Sequence, residues 1–129
     1  MKSVINTPKA PAAIGPYNQA TICRSGHVLF TSGQIPIDPV SGKVVGEDIT
    51  TQARQVLENL RAIVEDAGAS MHNVLKVNIY LKNLQDYAKL NAVYLTFFND
   101  QPPARLAVEV SRLPMDVLVE MDLVAELDR

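Results

Sequence analysis

Several absences narrow the possibilities first. The 129-residue chain has a single cysteine, Cys23, so it cannot close an intramolecular disulfide. Such a chain is expected in a reducing cytoplasm. With that one thiol and two well-separated histidines, His27 and His72, it lacks the ligand clusters of a zinc site, and no metal is expected. No apolar run approaches the ~18 residues of a membrane span, so no membrane partner is expected. The first twenty residues are broken by prolines and lack the apolar core of a secretory leader. Charge of one sign is also missing. The formal net charge is -2 and aromatics make up only 5% of the chain, which recommends no nucleic-acid partner. No linker, low-complexity tract or charge block divides the sequence, so residues 1–129 are expected to form one domain.

What is present is ordinary globular composition, 47% hydrophobic and 20% charged, arranged in clear periods. Ile49, Ala53, Val56, Leu57, Leu60, Ile63, Val64 and Ala67 recur at helical spacing. Asp48 or Thr50 is placed to cap the start of that helix and Gly68 to close its end. His72 to Lys82 alternates as a strand, with Leu75, Val77, Ile79 and Leu81 on one face. Asn83 then caps a second helix over about 84–98. Tyr87, Asn91, Tyr94 and Phe98 form one of its stripes, and Leu90, Val93 and Phe97 another. Near the N-terminus, Ser25-Gly26 predicts a hairpin-like break between strands at 19–24 and 27–34. "DPVSGK" (38–43) reads as a turn.

The C-terminal stretches "PPARLAVEVSRLP" and "VLVEMDLVAEL" predict strands over 104–111 and 117–125, joined as a hairpin by residues 112–115. In that register Ala107 opposes Glu120. Leu106, Val108 and Val110 join Val117, Val119, Met121 and Leu123 on the face toward the helices. Arg105, Ala107 and Glu109 share the other face with Leu118, Glu120 and Asp122, which makes Arg105 and Glu120 diagonal neighbours. The expected architecture is α+β: a six-stranded, mostly antiparallel sheet with two helices on one face. Its second face mixes charged and apolar residues, which predicts contact with other copies of the chain and sites at the seams.

Within this frame Arg105 is either an anion anchor, since a guanidinium fork matches a carboxylate, or half of a structural salt bridge to Glu120, Glu109 or Asp122. Glu120 either partners that arginine or orients a water and relays a proton. "AIGPYNQA" is a turn that projects Tyr17, as packing or as a site wall. "TSGQIP" holds Ser32 and Gly33, where the absent Cβ of glycine allows a ligand close to backbone N–H groups. No His–Asp relay accompanies Ser32, which argues against a serine hydrolase. Asn91 is a packing amide or a ligand contact.

Taken together, "APAAIGPYNQA", "TSGQIP", "NAVYLTFF", "PPARLAVEVSRLP" and "VLVEMDLVA" resemble the signature segments of the RidA (YjgF) family, in order and over essentially the whole chain. The resemblance implies a chorismate-mutase-like fold assembled as a homotrimer with three intersubunit clefts. It implies hydrolytic deamination of reactive 2-enamine/2-imine acids to 2-oxoacids and ammonia, without cofactor or metal. Arg105 is implied to hold the substrate carboxylate and Glu120 to position the attacking water. Tyr17 is implied to wall the cleft from the adjoining subunit. The backbone at Ser32 and Gly33, the Ala107 carbonyl and Asn91 are implied ligand contacts. Better-known members often follow the arginine with Ser-Cys. Here Leu106 and Ala107 follow, which excludes a thiol role there but keeps a carbonyl contact. Asn18 replaces a common serine, and Met121-Asp122 replaces a frequent Ile-Glu. Other readings of the same residues are a non-catalytic 2-oxoacid-binding regulator, a ribonuclease or translation inhibitor, and a general chaperone.

Overall fold

A computed structural model describes residues 2–128. Its elements run β1 (Ser3–Ile5), β2 (Ala20–Ile22), β3 (His27–Phe30), α1 (Ile49–Asp66), β4 (Val74–Leu81), α2 (Tyr87–Phe97), β5 (Ala104–Glu109) and β6 (Val119–Leu127). The α+β class and the two helices agree with the sequence reading. None of the described helices is long and apolar enough to cross a membrane.

Helix α1 forms as its period predicts. Asp48 caps it, accepting from the Thr51 N–H at 3.0 Å, and Gly68 follows its end in the left-handed region at φ 86°. Ile49, Ala53, Val56, Leu57, Leu60 and Val64 are buried along one stripe. They pack with Leu90, Val93 and Tyr94 of α2 and with the inner face of the sheet, Val77, Ile79, Leu81, Val119, Met121 and Leu123, in one core. Helix α2 starts later than predicted because Asn83 caps a short 3-10 turn, Leu84–Asp86, that precedes it.

The sheet differs from the expected one in three respects. The six described strands divide into a four-stranded sheet, in the order β3-β6-β4-β5, and a separate β1-β2 ribbon. Gly26 does turn the chain, at φ 80°, but β2 and β3 do not pair with each other: β2 pairs with β1, and β3 with β6. Most consequentially, β5 and β6 form no hairpin. Strand β5 runs parallel to β4, with Arg105 opposite Val77 and Ala107 opposite Ile79, and β6 lies antiparallel on the other side of β4.

The cause is the connection through α2. A helix that packs on the sheet returns the chain parallel to the strand it left. The chain then crosses to the far side of β4 through 110–118, where Met115 and Asp116 take left-handed φ values of 56° and 54°. Directly paired residues share a face, so the predicted facing of β6 stands while that of β5 is inverted. Arg105 and Ala107 join Val77 and Ile79 on the helix side. Leu106 and Val108 lie on the open face, 40% and 42% exposed.

Candidate functional site

Strand β5 brings Arg105 under α2, against the stripe Tyr87–Asn91–Tyr94. Its Nη2 donates to the Tyr87 hydroxyl and to Asn91 Oδ1, both at 2.7 Å. The guanidinium carbon lies 4.8 Å from the Tyr94 ring centre, 5.2 Å from that of Tyr87 and 5.5 Å from that of Tyr17. Ring faces are attractive to a cation at such distances, but they do not neutralise it. The two Nη1 hydrogens are buried with no hydrogen-bond partner among the described residues.

No carboxylate of the described residues answers this charge. Among the described residues the ion pairs are Glu58–Arg61 and Arg112–Asp116. Glu109 accepts from the Leu84 N–H at 2.9 Å, and Asp122 from the Asn78 amide at 2.7 Å. Of the two readings left open for Arg105, the structural salt bridge therefore has no partner. Among the described residues the Arg105 charge is met by ring faces and neutral oxygens alone.

Tyr17 reaches the cage from its turn, where the Tyr17 N–H donates to the Gly15 carbonyl at 2.8 Å. It meets the Arg105 of its own chain, whereas the resemblance implied that it comes from an adjoining subunit. The Tyr94 hydroxyl is buried without a partner. Burial pushes its pKa above the ordinary tyrosine value, against the opposing pull of the Arg105 charge.

Glu120 stands elsewhere. It opposes Tyr80 across β6 and β4, three residues from Val77, so its side chain leaves the open face while Arg105 leaves the helix face. The expected diagonal Arg105–Glu120 pair therefore does not form within one chain. Its premise, a β5–β6 hairpin, is absent. Glu120 lies against Gly33: a Cβ placed there would fall 2.0 Å from Oε2. The segment carrying Ser32 and Gly33 is tied along β6 by the Thr31 N–H to the Leu123 carbonyl and by reciprocal bonds between Gln34 and Met121. A cavity of about 350 Å³ opens beside Gly33, Tyr80, Glu120 and Asp122, with Arg112 at its wall. Desolvation, then Asp122 and Glu120, raise the Tyr80 pKa there. A larger, mostly apolar cavity of about 480 Å³ lies between 33–39 and α1, but no ionisable side chain lines it.

The Ala107 carbonyl faces the free edge of β5. The Val110 N–H donates to the Leu81 carbonyl, and strand alternation then turns Arg105, Ala107 and Glu109 backbone groups away from β4. Two clusters result: Arg105 with Tyr17 and Asn91 near a free edge, and Glu120 with Gly33 on the open face, next to Ser32 in the chain. Sequence reasoning missed Tyr87, Tyr94, Tyr80 and Asp122 as site residues. The signal available for the first two was their shared stripe with Asn91 on α2.

Known proteins resemble the chain along its length. The family model described as "Endoribonuclease L-PSP" matches residues 7–127. A RutC family protein of Pyrococcus abyssi is 55% identical over 124 residues, 96% of each chain. Among solved structures, the YjgF gene product of E. coli is 45% identical, with a TM-score of 0.73 over 96% of this chain and 98% of that one. E. coli TdcF with bound serine is 40% identical, with a TM-score of 0.74 over 97% and 98%.

Proposed function

This chain belongs to the RidA (YjgF) family, and on that premise we propose that it hydrolyses 2-enamine/2-imine acids to 2-oxoacids and ammonia. The observation that carries the reading is the acid-free Arg105 cage. A guanidinium with ring faces and neutral oxygens around it, and with Nη1 unpartnered, suits the carboxylate of a small 2-imino acid. Charge-assisted hydrogen bonds of this kind contribute about 1.5–3 kcal/mol each.

Chemistry at C2 then needs one aimed water. Glu120 takes a proton from it as the oxygen adds to the C=N carbon and passes that proton to the nitrogen. Collapse of the resulting aminoalcohol moves its hydroxyl proton, again through Glu120, to the nitrogen as the C–N bond breaks, which expels ammonia and leaves the C=O of the 2-oxoacid. Holding acid and water in register can lower the barrier by up to about 7–11 kcal/mol.

Arg105 and Glu120 leave opposite faces of one sheet, so a site that uses both joins two copies. We take the assembly to be a homotrimer, with each cleft pairing the β5 edge of one copy with the open face of the next. The exposed apolar residues of that face, Leu106, Val108 and the 72%-exposed Phe30, support association. The test is complementation. Arg105→Ala and Glu120→Gln variants, each inactive alone, are unfolded and refolded together. Intersubunit clefts restore activity to about a quarter of wild type by random assortment, whereas sites within one chain restore none. Imine is generated in situ by an amino-acid oxidase and its loss is followed.

A second reading is a 2-oxoacid-binding regulator. It is favoured by the same geometry, since one chain's cage is complete without Glu120. Binding of 2-oxobutanoate to a protein that leaves imine decay unchanged would establish it. The description of the matched family invites a ribonuclease reading, but the net charge of -2 offers little for a phosphate backbone.

A further inference from the structure

We propose that the cleft between β1 and the α2–β5 connection is a second reactive site, in which the Lys2 amine condenses with a small uncharged aldehyde to form an imine. The inference does not depend on the deaminase reading. The cavity is about 270 Å³ and is lined by Lys2, His72, Asp100 and Gln101. None of these residues belongs to the Arg105 cage or the Glu120 cavity.

Lys2 is half-buried here, and its Nζ donates to the Val74 carbonyl at 2.7 Å. That carbonyl accepts one N–H, so the neutral amine can hold this bond and still offer its lone pair. Burial pushes the Lys2 pKa down to about 8, against Asp100 and Glu126, which raise it. At pH 7 about a tenth of such an amine is neutral, against about one part in 3,000 for an ordinary lysine. One wall of the cavity is held in an unfavourable backbone conformation: Gln101 sits at φ 46°, a strain that local structure must sustain.

The surrounding charges select the electrophile. Asp100 and Glu126 disfavour an anionic carbonyl such as a 2-oxoacid, so the site and the Arg105 cage take different compounds. The amine nitrogen adds to the aldehyde carbon, and the carbonyl oxygen acquires the proton that the nitrogen loses. The carbinolamine then expels its hydroxyl as water, protonated by His72, and the C=N bond forms. Amine and aldehyde become imine and water, with no redox change.

The experiment traps the imine. The full-length protein is treated with acetaldehyde and cyanoborohydride between pH 6 and pH 10, and ethylation is mapped by peptide mass spectrometry. Lys2 is compared with the exposed Lys9, Lys43 and Lys89. At pH 7 Lys2 is expected to react at least about tenfold faster than those three, with its rate half-maximal near pH 8. Asp100→Asn lowers that midpoint, because it removes a charge that raises the lysine pKa. His72→Gln slows the reaction at pH 7 and leaves the midpoint in place. Equal rates at Lys2 and the surface lysines in the wild-type protein overturn the proposal, as does a Lys2 midpoint near pH 10 or one that Asp100→Asn fails to lower.

Discussion

Gly33→Ala tests the role of Glu120 without touching Glu120. An added Cβ would fall 2.0 Å from the Glu120 Oε2 and 3.0 Å from its carboxyl carbon. Real Cβ atoms do not approach other atoms closer than 3.0 Å, so the carboxylate must retreat by at least about 1 Å. It can do so by side-chain rotation, since Oε2 is the far end of a flexible chain and Gly33 has no positive φ that an alanine would strain. Folding should therefore survive, with a melting temperature within a few degrees of wild type. A misplacement of about 1 Å in a positioning group costs up to about 100-fold in rate. In the coupled oxidase assay, kcat for imine loss should fall by about that factor. KM should move less than kcat, because the Arg105 group that holds the substrate carboxylate is untouched by the substitution. If kcat holds while a crystal structure of the variant shows the carboxylate displaced, Glu120 does not aim the water.

Three further outcomes follow from the same geometry. Arg105→Lys keeps the charge but cannot donate to Tyr87 and Asn91 while also clamping a carboxylate. Its kcat/KM in the same assay should drop by about 100-fold, corresponding to about 3 kcal/mol. Tyr87→Phe removes one acceptor from Nη2 and keeps the ring face. It should cost about tenfold in kcat/KM, or about 1.5 kcal/mol, with an unchanged quaternary state by ultracentrifugation. Glu126 is fully buried. Desolvation works against its ionised form, but the Ser25 and Arg24 N–H groups more than compensate and hold its pKa at about 2. A depressed folded-state value contributes stability above the ordinary glutamate pKa near 4.5 and loses it as pH falls toward 2. Thermal melts should show Glu126→Gln less stable than wild type at pH 7, with the gap closing between pH 4.5 and pH 2.

Much of this molecule is local and therefore legible in a linear reading. Helix α1 follows from its stripe and its Asp48 cap, and the inward residues of β4 and β6 follow from strict alternation. Asn91 lies in the aromatic stripe of α2 and Arg105 near the start of an alternating strand, both legible in the sequence, and they do meet. The pairing of strands is not local. Alternation gives the period of β5 but not its phase, because the face turned to the core depends on which strand it joins and in which direction.

The sequence by itself determined both helices, five of the six described strands and their order, and it marked one cation and one carboxylate whose roles it left open between structure and function. Tertiary structure alone decided that α2 returns the chain parallel to β4. That choice sends Arg105 to the helix side, leaves Leu106 and Val108 exposed, and places Glu120 across the sheet. The physical reason is that a helical crossover and an apolar core are satisfied together only in that register, and both are properties of contacts between segments far apart in the chain.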